Sequence, residues 1–350
     1  MQVMKMTEAL SDAGHEVVLL SQKGAAHSDI RCLYKINFKF TLKTLPYKSN
    51  IIKVIYYFIQ LIKLKPDLVY CRTIYGCFAS TLLGFKTYLE IHDDRWRRGK
   101  VGPRLYAFVN KTKNLVKIIA ITQSLLREYK KDWPLSRCNS YIVLPDGASE
   151  VQFKTKIFNH RQKKGLEKIT VGYVGGLYEG KGIEVIQKIA PMLKDVDFHI
   201  VGGNTQLLNY WKKNIPYKNV KFFGFIRQNE IHQYYAKMKI CIIPNQHKSY
   251  STGKKSVNIS DFTSPLKMFE YMAYRKPIIA SDLPVFQEIL KNGHNALLVK
   301  PDDYVGWINA INTLKDFRIR KKLSDNAHHD FTLNYTWDKR VSKLFIDKLQ

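Results

Sequence analysis

The 350-residue sequence predicts an α/β protein built on two open, parallel, doubly wound sheets. Three observations carry that expectation. Short apolar segments alternate with amphipathic ones along the chain; the strand, loop, helix pattern restarts at Ile169 after a polar, basic run; and Asp261 to Leu290 (DFTSPLKMFEYMAYRKPIIASDLPVFQEIL) reads as loop, helix, strand, loop, helix. The length suits two domains, and 45% hydrophobic residues suffice for their cores.

In order, Met1 to Ala13 reads as a helix ended by Gly14-His15, and Glu16 to Ser21 (EVVLLS) as a strand. A doubly wound domain normally opens on a strand, so the leading strand and its loop are expected to be missing from this half. Cys32 to Lys65 is helix-rich and basic; within it IIKVIYYFIQLIKL (Ile51 to Leu64) is too short to span a bilayer and suits a helix packed on a sheet. A membrane-surface helix is the other reading of that segment. Strands follow at Leu68 to Cys71, Thr87 to Ile91, Ile118 to Thr122 and Tyr141 to Leu144, with helices at Thr73 to Leu83 and Gln123 to Lys131. His92-Asp93-Asp94 lies just past the carboxyl end of TYLEI, where such sheets bind ligands.

The expected division is residues 1–153, a linker at 154–168, a second domain at 169–330, and a C-terminal helix at 331–350 packing back on the first half. The second domain opens with ITVGYV (Ile169 to Val174), then a loop from Gly175 to Gly182, then a helix from Ile183. Glycines let backbone N–H groups approach a phosphate, and Lys181 adds charge, although the spacing fits neither a Walker loop nor a dinucleotide fingerprint. Further strands are expected at Asp197 to Val201, Val220 to Phe223, Ile240 to Pro244, Ile278 to Ala280 and Ala296 to Val299, and a helix at Pro284 to Leu290. In the SPLKMFEYMA segment Ser264 reads as the N-cap, the first N–H groups at Leu266 and Lys267 could hold an anion, and Glu270 one turn on could accept from paired hydroxyls. A plain cap followed by a solvated glutamate has the same local pattern.

Lys+Arg 57 against Asp+Glu 29 gives a net charge of +28, which calls for an anionic partner or surface. Two basic stretches, Arg31 to Lys65 and Arg95 to Lys117, contain no acid. Five scattered cysteines (Cys32, Cys71, Cys77, Cys138, Cys241) indicate neither a zinc site nor a disulfide framework, and a reducing cytosol fits. No signal peptide is visible, and no RNA-binding signature accompanies the 13% of aromatic residues, so no nucleic acid is expected.

Four segments in order, AGHEVVLLS, LEIHDD, YVGGLYEGKGIE and SPLKMFEYMAYRKPIIASDLP, resemble the retaining family 4 glycosyltransferases of GT-B fold. The resemblance implies two Rossmann-like domains facing across a cleft, acceptor on the first and nucleotide-sugar on the second. It implies that Glu270 binds the donor ribose and that Ser264, Leu266 and Lys267 meet the diphosphate. Lys181 neutralises the leaving group, Gly175, Gly176 and Gly203 line the pocket, and His92 lies over the donor sugar with Asp93 and Asp94 on the acceptor side. Neither metal nor cofactor is implied. Two departures stand out: Gly176 occupies a position where the family often has arginine, and Phe262 one where it has a second glutamate.

The implied activity is transfer of a sugar, with retention, to a glycan or lipid-linked acceptor in cell-surface polysaccharide or lipopolysaccharide synthesis. The cytoplasmic face of the membrane is the expected location, because clustered Lys and Arg are drawn to anionic lipid. A catalytically silent chain serving as a basic membrane- or nucleic-acid-binding module is the alternative, and a sugar-nucleotide epimerase of the same fold a third.

Overall fold

The computed structural model describes residues 1–22, 30, 34–37, 39–45, 49–134, 136–138, 140–151, 168–250, 258 and 260–346. The expected linker at 154–168 lies outside the described residues except for Lys168.

The first half opens with α1 (Gln2–Asp12) and β1 (Val18–Gln22), followed by β2 (Thr41–Leu45), which pairs parallel to β1. The sequence did not signal β2, because TLKTL breaks its two leucines with Lys43 and Thr44 and lacks an apolar run. Next come α2 (Asn50–Leu64), β3 (Val69–Cys71), α3 (Ile74–Leu82), β4 (Thr87–Ile91), α4 (Gly102–Asn110), β5 (Leu115–Ala120), α5 (Gln123–Asp132) and β6 (Ser140–Val143). β3 to β6 form a parallel sheet in sequential order, separate from β1 and β2, with no described strand joining β1 to β3. Ser49, Thr73 and Thr122 start α2, α3 and α5 by accepting the N–H three residues on. Thr122, expected inside a strand, is thus a cap. α2 also departs from expectation: it packs beside α3, buries only Leu61, and turns several isoleucines to solvent.

The second half holds β7 (Ile169–Val174), α6 (Ile183–Ile189), β8 (Val196–Val201), α7 (Thr205–Asn214), β9 (Val220–Gly224), α8 (Ile231–Lys237), β10 (Ile240–Ile243), α9 (Leu266–Ala273), β11 (Ile278–Ser281), α10 (Pro284–Gln287), β12 (Leu297–Val299), α11 (Tyr304–Thr313) and α12 (Phe317–Asn334). Its six parallel strands run in the order β12-β11-β10-β7-β8-β9. The chain therefore winds outward from β7 in one direction and from β10 in the other. The crevice between the carboxyl ends of β7 and β10 is a topological switch point, where open sheets of this kind bind ligands. Two apolar layers cover the sheet, one including Tyr173, Phe198, Trp211 and Trp307, the other Phe269, Tyr271, Phe286 and Phe331.

α13 (Trp337–Phe345) returns to the first half, where Trp337, Val341 and Leu344 pack with Met6, Tyr88 and Ile119. The Lys117 ammonium donates to the Leu344 carbonyl at 2.8 Å beneath it. Among the described residues, no helix is long and apolar enough to cross a membrane.

Candidate active site

A cavity of about 500 Å³ opens at the carboxyl ends of β7, β8 and β9, next to the switch point, lined by Gly175, Gly176, Gly203, Asn204, Phe225, Gln228 and Glu270 among others. Its floor is backbone. β7 ends at Val174, and the Gly175 N–H is tied to the Val201 carbonyl at 2.9 Å, so the loops after β7 and β8 lie side by side. Gly203 has φ +83, and a Cβ there would stand 2.5 Å from the Leu177 side chain. Only glycine fits both the conformation and the space. The later glycines of the loop serve a different purpose from that expected. Glu184 accepts from the Gly180 and Gly182 N–H groups, each at 3.1 Å, so these hold the loop to the start of α6.

Two lysines converge beside this floor. The Lys267 ammonium lies 4.1 Å from the centroid of the Tyr173 ring and 3.7 Å from where a Gly175 Cβ would be. Both side chains keep partial access to solvent while surrounding atoms desolvate their ammonium groups. Burial pushes Lys181 down to about 8. Burial, and then the charge of Lys181, hold Lys267 well below the usual lysine range. Two desolvated ammonium groups, one of them lowered further by the other's charge, form a site suited to negative charge.

Glu270 closes the opposite side. Its Oε1 accepts from Gln228 Nε2 at 3.0 Å and its Oε2 from the Tyr235 hydroxyl at 2.9 Å, while burial raises its pKa. A carboxylate offers about four acceptor positions, so two fixed bonds leave room for a pair of ligand hydroxyls. Gln228 and Tyr235 were not signalled by the sequence, because they lie about forty residues ahead of Glu270 in an otherwise ordinary loop and helix.

Ser264 is not the cap of α9. Pro265 occupies that position without a side-chain hydrogen bond, and the Ser264 hydroxyl accepts from the Asp146 N–H of the first half at 3.1 Å. The N–H groups of Leu266 and Lys267 open α9 without a side-chain cap. Phe262 packs on the core of the first sheet, and Leu266 on the layer beneath α13. Residues 262–266 thus strap the two halves together, which explains why a phenylalanine stands where a carboxylate was expected.

Across the strap lies a buried ionic cluster. Glu90, in the fully buried strand β4, contacts His92 Nε2 and accepts from Gln2 Nε2 at 2.9 Å and from Arg340 Nη2 of α13 at 3.0 Å, with Arg72 Nε at 3.5 Å. Burial alone would raise the Glu90 carboxyl, but Arg340 and then His92 hold it down to about 2. Asp146 is buried beside His92, Arg340 and Arg72, and desolvation raises its pKa. Asp93 caps the turn after His92 by accepting from the Arg95 N–H and Nε, both at 3.1 Å, and Asp94 pairs with Arg98. Glu90 in TYLEI was a readable signal, a lone carboxylate in an apolar strand. Arg340 was not, standing 250 positions away.

Residues 168–316 match the family described as "Glycosyl transferases group 1". An uncharacterised glycosyltransferase of Methanocaldococcus jannaschii is 23% identical over 245 residues, 67% of this chain and 60% of that protein. The O-antigen chain mannosyltransferase RfbU of Salmonella typhimurium is 31% identical over 96 residues, 27% of this chain and 23% of its own length. The match therefore spans less than two thirds of each of these relatives. In three dimensions the chain is similar to Anabaena HepE, solved in complex with UDP-glucose, with a TM-score of 0.71 and 16% identity over 98% of this chain and 94% of that one. The fold is that of GT-B glycosyltransferases. Residues 168–316, less than half of the chain, are thus similar to the glycosyl transferases group 1 family, within a chain whose fold is GT-B.

Proposed function

We propose that the protein is a retaining glycosyltransferase that moves a sugar from a nucleoside-diphosphate sugar to a glycan or lipid-linked acceptor in cell-surface polysaccharide or lipopolysaccharide synthesis. One observation carries the reading: Lys181 and Lys267 converge beside the Gly175-Gly176 floor, opposite a buried Glu270 with acceptor positions to spare. A nucleoside diphosphate presents the matching pattern of two phosphates flanked by a ribose diol. The UDP-glucose complex of the Anabaena neighbour and the mannosyltransferase name of the Salmonella relative support the class of reaction.

In this reading the sugar C1–O bond to the diphosphate breaks as the acceptor oxygen bonds C1 on the same face, and the acceptor proton leaves with the diphosphate. Charge develops on the leaving oxygen. Lys181, Lys267 and the uncapped N-terminus of α9 meet it there, so the assignment requires no metal. Ser264 positions rather than binds, fixing the strap that carries Lys267. His92 faces the donor sugar with its ring held by Glu90, and Asp93 and Asp94 set Arg95 and Arg98 on the acceptor side.

The test is turnover of UDP- and GDP-sugars in the presence of membrane-extracted acceptors, with the product's anomeric configuration read by NMR. Lys181→Ala and Glu270→Ala should each abolish nucleoside diphosphate release. Full activity in both variants would rule out the site, and an inverted product would rule out retention.

A further inference from the structure

His92 stands just past the carboxyl end of β4, and its side chain is 21% exposed. The ring meets Glu90, two residues back in the strand, through Nε2. Among the described residues no group hydrogen-bonds the other ring nitrogen, Nδ1. The imidazole thus has one nitrogen turned into the protein and one left for a ligand.

Either nitrogen can donate or accept, and the neutral ring holds one proton, so the partner of Nε2 decides where that proton sits. The partner is an ionised carboxylate. Arg340 Nη2 donates to Glu90 Oε2 at 3.0 Å, Gln2 Nε2 donates to Oε1 at 2.9 Å, and Arg72 Nε lies 3.5 Å from Oε1. Three donors converging on one buried side chain leave it no proton of its own, in keeping with a carboxyl held down to about 2. An ionised carboxylate accepts and cannot donate, so Nε2 is the donor and Nδ1 keeps its lone pair. Arg340 is not free to swing away and relax this arrangement, because it also donates to the Pro145 and Leu144 carbonyls. Asp146 is the other carboxyl beside the ring, and among the described residues no hydrogen bond joins it to His92.

We propose that Glu90 is a positioning residue that keeps the His92 proton on Nε2, so that Nδ1 faces the cleft as an acceptor for a hydroxyl of the bound sugar. The presence of the sugar rests on the transferase reading; the place of the proton does not. The sugar hydroxyl donates to Nδ1 and no proton is transferred. A bare nitrogen at this point suits a hydroxyl or amide N–H and repels a carboxylate or phosphate oxygen, which brings only lone pairs. The part of the donor sugar that meets His92 is therefore neutral.

The experiment is nitrogen NMR of the full chain carrying isotope-labelled histidine, at about pH 8, above the ordinary imidazole range. The chain has 10 histidines, so the His92 signals are identified by their loss in His92→Gln. The wild type should show His92 protonated on Nε2 and bare on Nδ1. Adding UDP-glucose or GDP-mannose, whichever binds, should shift the Nδ1 signal upfield, as a bare nitrogen does on accepting a hydrogen bond. UDP or GDP alone should leave it in place. In Glu90→Gln the amide oxygen turns to Arg340 and the amide NH2 to His92, while Gln2 Oε1, now buried without a partner, can flip to accept the second amide N–H. The His92 proton should move to Nδ1 in that variant. A wild-type ring protonated on Nδ1, or on both nitrogens, would overturn the proposal. So would a Glu90→Gln ring still protonated on Nε2, or a bound sugar nucleotide that leaves Nδ1 unmoved. The wild-type spectra decide the matter even where Glu90→Gln does not fold. If no sugar nucleotide binds, the transferase reading fails, and the spectrum of the free chain still decides the place of the proton.

Discussion

Replacing Arg340 by Met asks whether the C-terminal helix electrically completes the first half of the molecule. The Arg340 side chain is 2% exposed and donates to Glu90 Oε2 at 3.0 Å, the Pro145 carbonyl at 2.9 Å and the Leu144 carbonyl at 3.1 Å. Met fills much of the volume but leaves the Glu90 carboxylate buried without its main counter-charge. Removing one partner of a buried pair costs about 3–5 kcal/mol. The protonation equilibrium of Glu90 gives a similar figure. Its carboxyl lies at about 2 against an ordinary 4.5, a difference worth about 3 kcal/mol. Because the folded-state pKa is depressed, this stabilisation is present above pH 4.5 and is lost as pH falls from 4.5 toward 2. Urea unfolding followed by tryptophan fluorescence, with Trp337 buried on the same helix, reads both effects. At pH 7 Arg340→Met should lose about 3 kcal/mol or more, and the gap to wild type should narrow below pH 3. Adding Glu90→Gln should recover part of the loss by removing the stranded charge. The reasoning is refuted if Arg340→Met stays within about 1 kcal/mol of wild type at pH 7, or if the double variant is weaker than the two single losses added.

Other predictions follow from the second half. Lys181, held at about 8, should regain its proton when a diphosphate binds. Donor binding between about pH 8 and 10 should therefore take up protons, seen as a buffer-dependent calorimetric enthalpy that Lys181→Met abolishes. Glu270→Gln should weaken nucleoside binding by about 1.5–3 kcal/mol, the worth of hydrogen bonds to a charged group, while leaving binding of inorganic pyrophosphate unchanged. Gly203→Ala should lower the melting temperature, because a left-handed backbone alone costs about 1–2 kcal/mol and the methyl would meet Leu177. Phe262→Ala should loosen the strap and raise proteolysis between the halves without altering the spectrum of the isolated donor pocket.

The parts of this molecule that could be read from sequence are those whose causes are local. A glycine loop after an apolar strand, a helix stopped by Lys276-Pro277, and lysines placed at helix starts declare themselves within ten residues. Gly175, Gly176, Gly203 and Glu270 accordingly line one crevice, with Lys267 beside Gly175 and Lys181 near Lys267. Ser264 misled because a serine ahead of a helix has the same local pattern whether it caps the helix or accepts an N–H from another part of the chain. Its partner, Asp146, is 118 positions away. β2 stayed hidden because partly exposed, Lys-containing strands lack an apolar run, and the role of α2 because periodicity gives a helix an apolar face without saying what covers it. Glu90 and Arg340 share the same difficulty in its strongest form: a pair is a property of the fold.

The central claim is that the crevice beside Lys181, Lys267 and Glu270 holds a nucleoside diphosphate. Isothermal titration of the full chain with UDP, GDP and inorganic pyrophosphate tests it directly. The account predicts saturable binding of at least one nucleoside diphosphate, lost in Lys181→Ala/Lys267→Ala and weakened in Glu270→Gln for the nucleotide but not for pyrophosphate. Absence of binding by every nucleoside diphosphate tried, or full binding by the double lysine variant, would contradict it.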